Sequence, residues 1–170
     1  KMDEMKFDML GAAVVIEAIA AIAELRLKIN VVALAPATEN MPSGSAYRPG
    51  DILTGMGGKT IEILNTDAEG RLILADSLVY AEKQKPDLII DLATLTGSCM
   101  SALGEEITGV MSNNPILANR ILIASATAGE KMWELPLEKN YKKIIKSDIA
   151  NIKNIGGKYG GVLTAGLFLE

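Results

Sequence analysis

The chain has 170 residues, 49% of them hydrophobic and 22% charged, a composition typical of a globular protein of one-domain size. Its formal net charge of −4 includes no basic excess, so nothing favours nucleic acid as the main partner. The absence of histidine excludes a Ser-His-Asp triad and any His-ligated zinc site within the chain, and a single cysteine excludes an internal disulfide. Any metal ion must therefore be held by oxygen ligands.

The apolar segments are those of a core and not of a membrane anchor. The longest apolar run, Ala18 to Ala23, is too short to span a bilayer and is bracketed by Glu17 and Glu24. We find no transmembrane segment and no signal peptide pattern, and we expect no membrane partner. The one cysteine, Cys99, is compatible with a reducing compartment and is interpreted as a small buried apolar residue.

The first predicted elements in chain order are a helix, a strand and a long loop. Small and branched apolar residues at helical spacing predict a largely buried helix from Met9 to about Leu27. The β-branched run 29–35 predicts a buried strand. Residues 36–51 are rich in Pro, Gly, Ser and Asn, and a loop of that length is usually functional or disordered. Two short strands follow, at 52–54 and 60–64.

The stretch NTDAEGRL, residues 65–72, has the densest group of chemically active side chains. An extended backbone at the end of a strand would point Asp67, Glu69 and Arg71 to one side, with Gly70 as the turn before the next helix. Two carboxylates beside a guanidinium predict a cation site with an anion clamp, at the kind of strand-to-helix junction where α/β sheets place their ligands. The alternative is that the acidic residues only cap the helix or interact with its dipole.

The second half of the chain alternates helices and strands. The pattern predicts a helix to about Gln84, a buried strand at 87–92, a second strand-to-helix junction at 94–97, a short helix at 98–103, a strand at 107–112, a helix from Asn114-Pro115 to about Ala128, a turn at 133–136, a short helix at 138–145 and a flexible loop at 152–161. This alternation predicts an α/β fold with a mainly parallel (mixed) sheet flanked by helices on both faces, a three-layer sandwich.

Several segments resemble one family in the same order. The stretch at 65–72 is similar to the signature of the leucyl aminopeptidase family, the two-metal cytosolic aminopeptidases, and the segments at 36–44, 47–51, 58–60 and 91–97 resemble the catalytic domain of that family. The resemblance covers nearly the whole chain. It implies that residues 1–170 are part of a catalytic domain, without the family's N-terminal domain and without either end of the catalytic domain. An uncapped apolar segment at 167–170 agrees with a piece of a longer protein.

The resemblance also implies a set of metal and anion ligands. Asp67 would bind a first divalent ion, Glu69 would bridge two ions and Asp8 would bind the second; the ions would be Mn or Zn in the intact protein. Arg71 would hold a bicarbonate ion that serves as the general base, a role that suits its planar fork of donors. From the residues alone, Asp8 is an ordinary acidic residue near a helix start and Arg71 an exposed arginine.

Five more residues match substrate positions of the family. Thr94 and Leu95 would lie at the amino end of the substrate, with Leu95 acting through its backbone carbonyl, and Gly97 would keep the backbone accessible there. Met5 and Asn65 would line the pocket for the first side chain. Without the resemblance, a methionine is more often core filler and an asparagine more often a turn former.

The implied function is a cytoplasmic, hexameric, metal-dependent aminopeptidase that releases N-terminal amino acids, with a leucine-type preference, from peptides. The family's site also uses two lysines and a bridging aspartate that this chain lacks, so we expect weak metal binding and little or no activity from the chain alone. A second reading is a non-catalytic scaffold or DNA-binding subunit remnant of the same fold. A nucleotide site is disfavoured, because neither GxGxxG after the first strand nor GxxxxGK[ST] occurs.

Overall fold

The computed structural model describes residues 2–170. Its elements are two 3-10 segments, Met2–Phe7 and Lys139–Ile144, and α1 (Leu10–Glu24), β1 (Ile52–Thr54), β2 (Thr60–Glu62), α2 (Gly70–Lys83), α3 (Gly97–Leu103), β3 (Thr108–Val110), α4 (Pro115–Ala128), β4 (Met132–Glu134), β5 (Ile152–Lys153) and α5 (Gly161–Leu169). The α/β class is confirmed. None of the helices in the described part combines the length and the apolar character needed to cross a bilayer.

The strands form two small sheets. In the first, β2 lies between β1, which is antiparallel to it, and β5, which is parallel to it. The β1–β2 connection closes through Gly58, whose φ of +79° is in the region that favours glycine. The second sheet pairs β3 and β4 in parallel. The parallel β2–β5 pair joins positions far apart in the sequence, and this long-range pairing places the residues after β5 beside those after β2.

The core lies where α5 covers the first sheet and the start of α2. Its buried apolar side chains are Ile61, Ile63, Ile145, Leu167 and Phe168. Two come from β2 and the residue that follows it, and two from α5. The segment that leaves β2 is therefore anchored by a fully buried side chain, Ile63, immediately before the acidic stretch begins.

Helix boundaries agree with the local capping signals. Asn114 accepts hydrogen bonds from the amides of Ile116 and Leu117, Pro115 is the first residue of α4, and Gly129 ends the helix in a left-handed conformation with φ of +78°. The predicted bounds of this helix are confirmed. The predicted turn at 133–136 is wrong at its start, because Trp133 pairs with Gly109 in the β3–β4 sheet.

Three predictions of buried apolar elements are wrong. The segments 29–35 and 87–92 are assigned to no strand, and they expose apolar side chains such as Val32, Leu88 and Ile90. Helix α1 has no buried residue. The physical reason is that a strand needs a neighbour for its hydrogen bonds, and no described strand pairs with either segment. The apolar composition indicated a tendency to form strands, but a strand forms only where a neighbouring strand is available to pair with it.

Candidate active site

The acidic stretch forms the connection between β2 and α2. The chain turns at Thr66 and Asp67, and the Asn65 side chain accepts a hydrogen bond from the amide of Asp67 at 2.9 Å, as in an Asx turn. Asp67 is exposed. The prediction of a strand end at 65–67 is wrong, since β2 ends at Glu62, and Gly70 is the first residue of α2 instead of a turn. The position at a strand-to-helix junction is confirmed.

The long loop 36–51 is tied to this turn by two side chains. The Asn40 amide nitrogen donates hydrogen bonds to the Thr66 carbonyl at 3.0 Å and to Glu69 Oε2 at 2.9 Å. The Tyr47 hydroxyl donates to the same Thr66 carbonyl at 2.9 Å. Because Asn40 contacts both the backbone of the turn and one carboxylate oxygen, it restricts the orientation of the Glu69 carboxylate.

The two carboxylates produce a negative potential at the loop. Burial, and after it the charges of Glu69 and Asp67, raise the pKa of the Tyr47 hydroxyl above its usual value. The charges of both carboxylates therefore reach the Tyr47 hydroxyl, although of the two only Glu69 is hydrogen-bonded to the loop. Such a potential attracts a cation, and carboxylate oxygens are the ligands that hard divalent ions prefer.

Arg71 is buried against the ring of Phe168. It is 7% exposed in the first turn of α2, and its guanidinium carbon lies 5.7 Å from the centre of the Phe168 ring. Burial lowers the pKa of Arg71. The expectation of an exposed arginine from the residues alone is wrong. Its Nε has no hydrogen-bond partner within the described residues, so an anion oxygen such as that of bicarbonate fits the requirement of this buried donor.

Asn154 supports the turn from the opposite side. It follows β5 and is 0% exposed. Its side-chain oxygen accepts from the amides of Leu64 at 2.8 Å and Asn65 at 3.3 Å, and its nitrogen donates to the Asn65 carbonyl at 2.6 Å. A longer contact of 3.5 Å reaches the Ala68 carbonyl.

A second group joins the start of the chain to the segment after residue 92. The Thr94 hydroxyl donates to Asp8 Oδ1 at 2.6 Å, across a separation of 86 positions. Close packing of α1 makes this possible: a Cβ at Gly11 would lie 1.9 Å from the Leu92 carbonyl oxygen, a distance that only glycine avoids. Two residues that the family resemblance assigns to the site are thus in direct contact.

Three further predicted substrate residues, Met5, Leu95 and Gly97, are close in sequence to Asp8 or Thr94. Leu95 is half-buried and precedes Thr96, whose hydroxyl caps α3 by accepting from the amide of Ser98 at 3.2 Å. Gly97 is the exposed first residue of α3. Met5 is exposed in the first 3-10 segment. No ligand contact tests these positions, so their substrate roles stay predictions.

The carboxylates that the resemblance assigns to metal binding lie in two places in the structure. No three His, Cys, Asp or Glu side chains among residues 3–170 form a group that could hold a metal ion. Asp67 and Glu69 share one turn, while Asp8 belongs to the group with Thr94. The oxygen chemistry of these side chains fits hard divalent ions. Weak metal binding by the chain alone stays a prediction.

Sequence reasoning missed four residues that shape the site, namely Asn40, Tyr47, Phe168 and Asn154. The sequence offered an indication for Asn40 and Tyr47, because both lie in the loop 36–51 and a loop of that length usually has a function. Asn154 had none, since its partners lie 86 to 90 positions away and its own segment was predicted to be a flexible loop.

Comparisons with known proteins identify the family and the fold of this chain. The family model for the cytosol aminopeptidase family, catalytic domain, matches residues 1–170. A probable cytosol aminopeptidase of Syntrophotalea carbinolica is 58% identical over 170 residues, which are 100% of this chain and 34% of that protein. One of Actinobacillus pleuropneumoniae is 55% identical over 169 residues, 99% of this chain and 34% of that protein.

A solved structure is also similar. A mutant of tomato leucine aminopeptidase matches with a TM-score of 0.91 and 45% identity, over 98% of this chain and 33% of that one. The chain thus spans about a third of the length of the relatives it matches. The acidic turn, the overall fold and the family match over the whole of this chain lead to one conclusion: the chain belongs to the cytosol aminopeptidase family, in the region of its catalytic domain.

Proposed function

We propose that these 170 residues are part of the catalytic domain of a longer metal-dependent aminopeptidase, which releases N-terminal amino acids from peptides with a leucine-type preference. The observation that carries the proposal is the acidic turn at 65–69, in which Asn40 orients the Glu69 carboxylate. Family membership supports the reaction, since the relatives are named cytosol aminopeptidases. Those names also support a cytoplasmic location, and a homo-hexamer is part of the same proposal.

Two divalent ions, Mn or Zn, are the proposed cofactors. Asp67, Glu69 and Asp8 would hold them, with Glu69 shared between both. When bound, the ions supply a Lewis acid for the scissile carbonyl and a water of lowered pKa. The hydrogen bond from Asn40 leaves the second oxygen of Glu69 for a ligand, and the hydroxyl of Thr94 fixes one oxygen of Asp8 in the same way.

Arg71 is the proposed holder of the bicarbonate general base. Its buried Nε has a donor to offer and no acceptor in the described part of the chain, and the Phe168 ring keeps the guanidinium in place. Because burial excludes water, an anion there would receive a charge-assisted hydrogen bond of more than ordinary strength. A bicarbonate ion held by Arg71 would supply the general base for the reaction.

We assign substrate recognition to Met5 and to residues at the two predicted strand-to-helix junctions, at 65–72 and 94–97. Thr94 and the carbonyl of Leu95 would receive the free amino group of the peptide, and Gly97 would leave room for it. Met5 and Asn65 would line the pocket of the first side chain. The exposure of Met5 and of Asn65 supports contact with a ligand.

Calorimetric titration with Mn²⁺ or Zn²⁺, together with hydrolysis of Leu-p-nitroanilide, tests the proposal. We expect binding and turnover in the longer protein, and the loss of both in Asp67→Asn and in Glu69→Gln. Glu106→Gln is the matched control, because it neutralises an exposed carboxylate that is paired with Lys131 away from the acidic turn. DNA binding without metal binding or hydrolysis would overturn the enzyme and favour the scaffold.

A further inference from the structure

Asn154 uses its whole amide group on one backbone segment. Its oxygen binds the amides of Leu64 and Asn65, and its nitrogen binds the Asn65 carbonyl and lies within 3.5 Å of the Ala68 carbonyl. Its backbone amide donates to the Glu62 carbonyl at 2.9 Å, so the residue is fixed to β2 as well. The side chain is completely buried, and within the described part of the chain its hydrogen bonds all go to residues 64–68, so it holds that segment in one shape.

These bonds lead directly to the two carboxylates of the acidic turn. Asn65, held by Asn154 at its amide and its carbonyl, accepts the hydrogen bond from the amide of Asp67 through its side chain. Ala68, at the far end of the held segment, immediately precedes Glu69. A displacement of the segment would therefore move Asp67 and Glu69 together.

We infer that Asn154 is a positioning residue for the reaction proposed above, acting through the backbone of residues 64–68 on Asp67 and Glu69. The inference rests on the proposed function. Asparagine presents its acceptor and its donor on two separate atoms of one short side chain; an apolar side chain would leave buried amides without partners, and glutamine is longer by a methylene group.

Asn151 provides the matched control. It lies on the other side of β5, and its side-chain oxygen accepts from the amide of Thr60 at 2.8 Å and from the Thr60 hydroxyl at 2.9 Å. It thus also bonds β2 beside β5, at the end of β2 remote from the acidic turn, although Asn151 is exposed and Asn154 is buried. A merely structural asparagine at 154 would, when replaced, lower Tm and leave metal Kd and kcat unchanged.

The test compares Asn154→Ala, Asn154→Asp and Asn151→Ala in the longer protein. The readouts are metal Kd by calorimetry, kcat and KM for Leu-p-nitroanilide, Tm, and hydrogen exchange of the amides at 64–69 in the metal-free protein. We expect Asn154→Ala to weaken metal binding and lower kcat by about 10-fold or more, as for the loss of other residues that orient metal ligands. Asn151→Ala should lower Tm and leave metal Kd and kcat within about 2-fold.

Asn154→Asp keeps the acceptor for the two amides and removes the donor, so it should fall between wild type and Asn154→Ala; it also preserves the test if the alanine variant does not fold. Faster exchange at 64–69 in the Asn154 variants, but not in Asn151→Ala, is expected even without metal. Unchanged metal Kd and kcat in a folded Asn154 variant of an active protein would overturn the positioning role alone. A wild type that neither binds metal nor hydrolyses peptide would overturn the proposed function, and the role of Asn154 with it.

Discussion

Tyr47 is a natural reporter of the charge on the acidic turn. Burial and the carboxylates of Glu69 and Asp67 raise its pKa above the usual value of 10.0, so the folded state favours the neutral phenol. The raised pKa means that the folded protein is favoured as long as Tyr47 is protonated. This contribution to the free energy of unfolding is fully present below the usual pKa of tyrosine, and it is lost as the pH rises through the pKa of Tyr47 in the folded state. The free energy of unfolding of wild type should therefore fall with pH above about 10, and Tyr47→Phe should remove that part of the slope.

The same residue tests the contribution of the carboxylates. In a titration followed by phenolate absorbance, with Tyr47→Phe as the blank, Glu69→Gln should lower the pKa of Tyr47, and the pKa should stay above 10.0 because burial is the larger cause. Glu106→Gln, which changes a carboxylate elsewhere, should leave it unchanged. A pKa of Tyr47 that does not respond to Glu69→Gln would contradict the electrostatic account.

Arg71, the proposed holder of the bicarbonate ion, is predicted to matter more for activity than for stability. Its buried Nε has no partner among the described residues, an arrangement that costs about 1–3 kcal/mol, while the contact with Phe168 returns about 1–2 kcal/mol. We expect Arg71→Met to change the free energy of unfolding by less than about 1 kcal/mol and to lower kcat at least tenfold. Urea unfolding and hydrolysis of Leu-p-nitroanilide check the two halves. A loss of about 3 kcal/mol or more would indicate a paired, structural charge.

At the scale of elements, the contact between α1 and the segment 91–94 depends on Gly11. The Cβ of Gly11→Ala would overlap the carbonyl of Leu92, which is backbone and has little freedom to move. Separation of the two elements would break the hydrogen bond between Thr94 and Asp8. We expect a loss of about 1–3 kcal/mol of stability, measured by denaturant unfolding.

Gly157→Ala is the control for that substitution. A Cβ at Gly157 would lie 3.6 Å from Ile144, an ordinary contact, so its unfolding midpoint should stay close to that of wild type. Equal destabilisation by both substitutions would mean that close approach at Gly11 has no special importance.

At the scale of the whole molecule, the predictable features were those with local causes. The caps of α4 and the junction before α2 follow from residues adjacent in sequence, and both were predicted. The segments 29–35 and 87–92 were mispredicted as strands because pairing depends on a neighbour that composition does not reveal. Asn154 was missed for a related reason: its role depends on the parallel pairing of β2 with β5, which brings distant positions together. For Arg71, the residues alone predicted an exposed side chain, whereas packing against Phe168, which lies far away in the sequence, buries it.

The unpaired apolar segments lead to a prediction for the chain as a unit. Val32 and Ile90 expose much of their side chains, and the segments around them pair with none of the described strands, so we expect their backbone groups to accept another strand. Since a net charge of −4 gives little repulsion, the 170-residue chain should bind a hydrophobic dye and associate with increasing concentration.

Val32→Lys and Ile90→Lys should reduce both effects, measured by dye fluorescence and light scattering, because a charge on an unpaired edge opposes strand-to-strand association. Ile123→Lys is the matched control: it places the same charge on another exposed isoleucine, in α4, outside the unpaired segments. If Ile123→Lys were equally effective, net charge and not the open edges would govern association. A monomeric wild-type chain without dye binding would mean that these segments find partners within the chain itself.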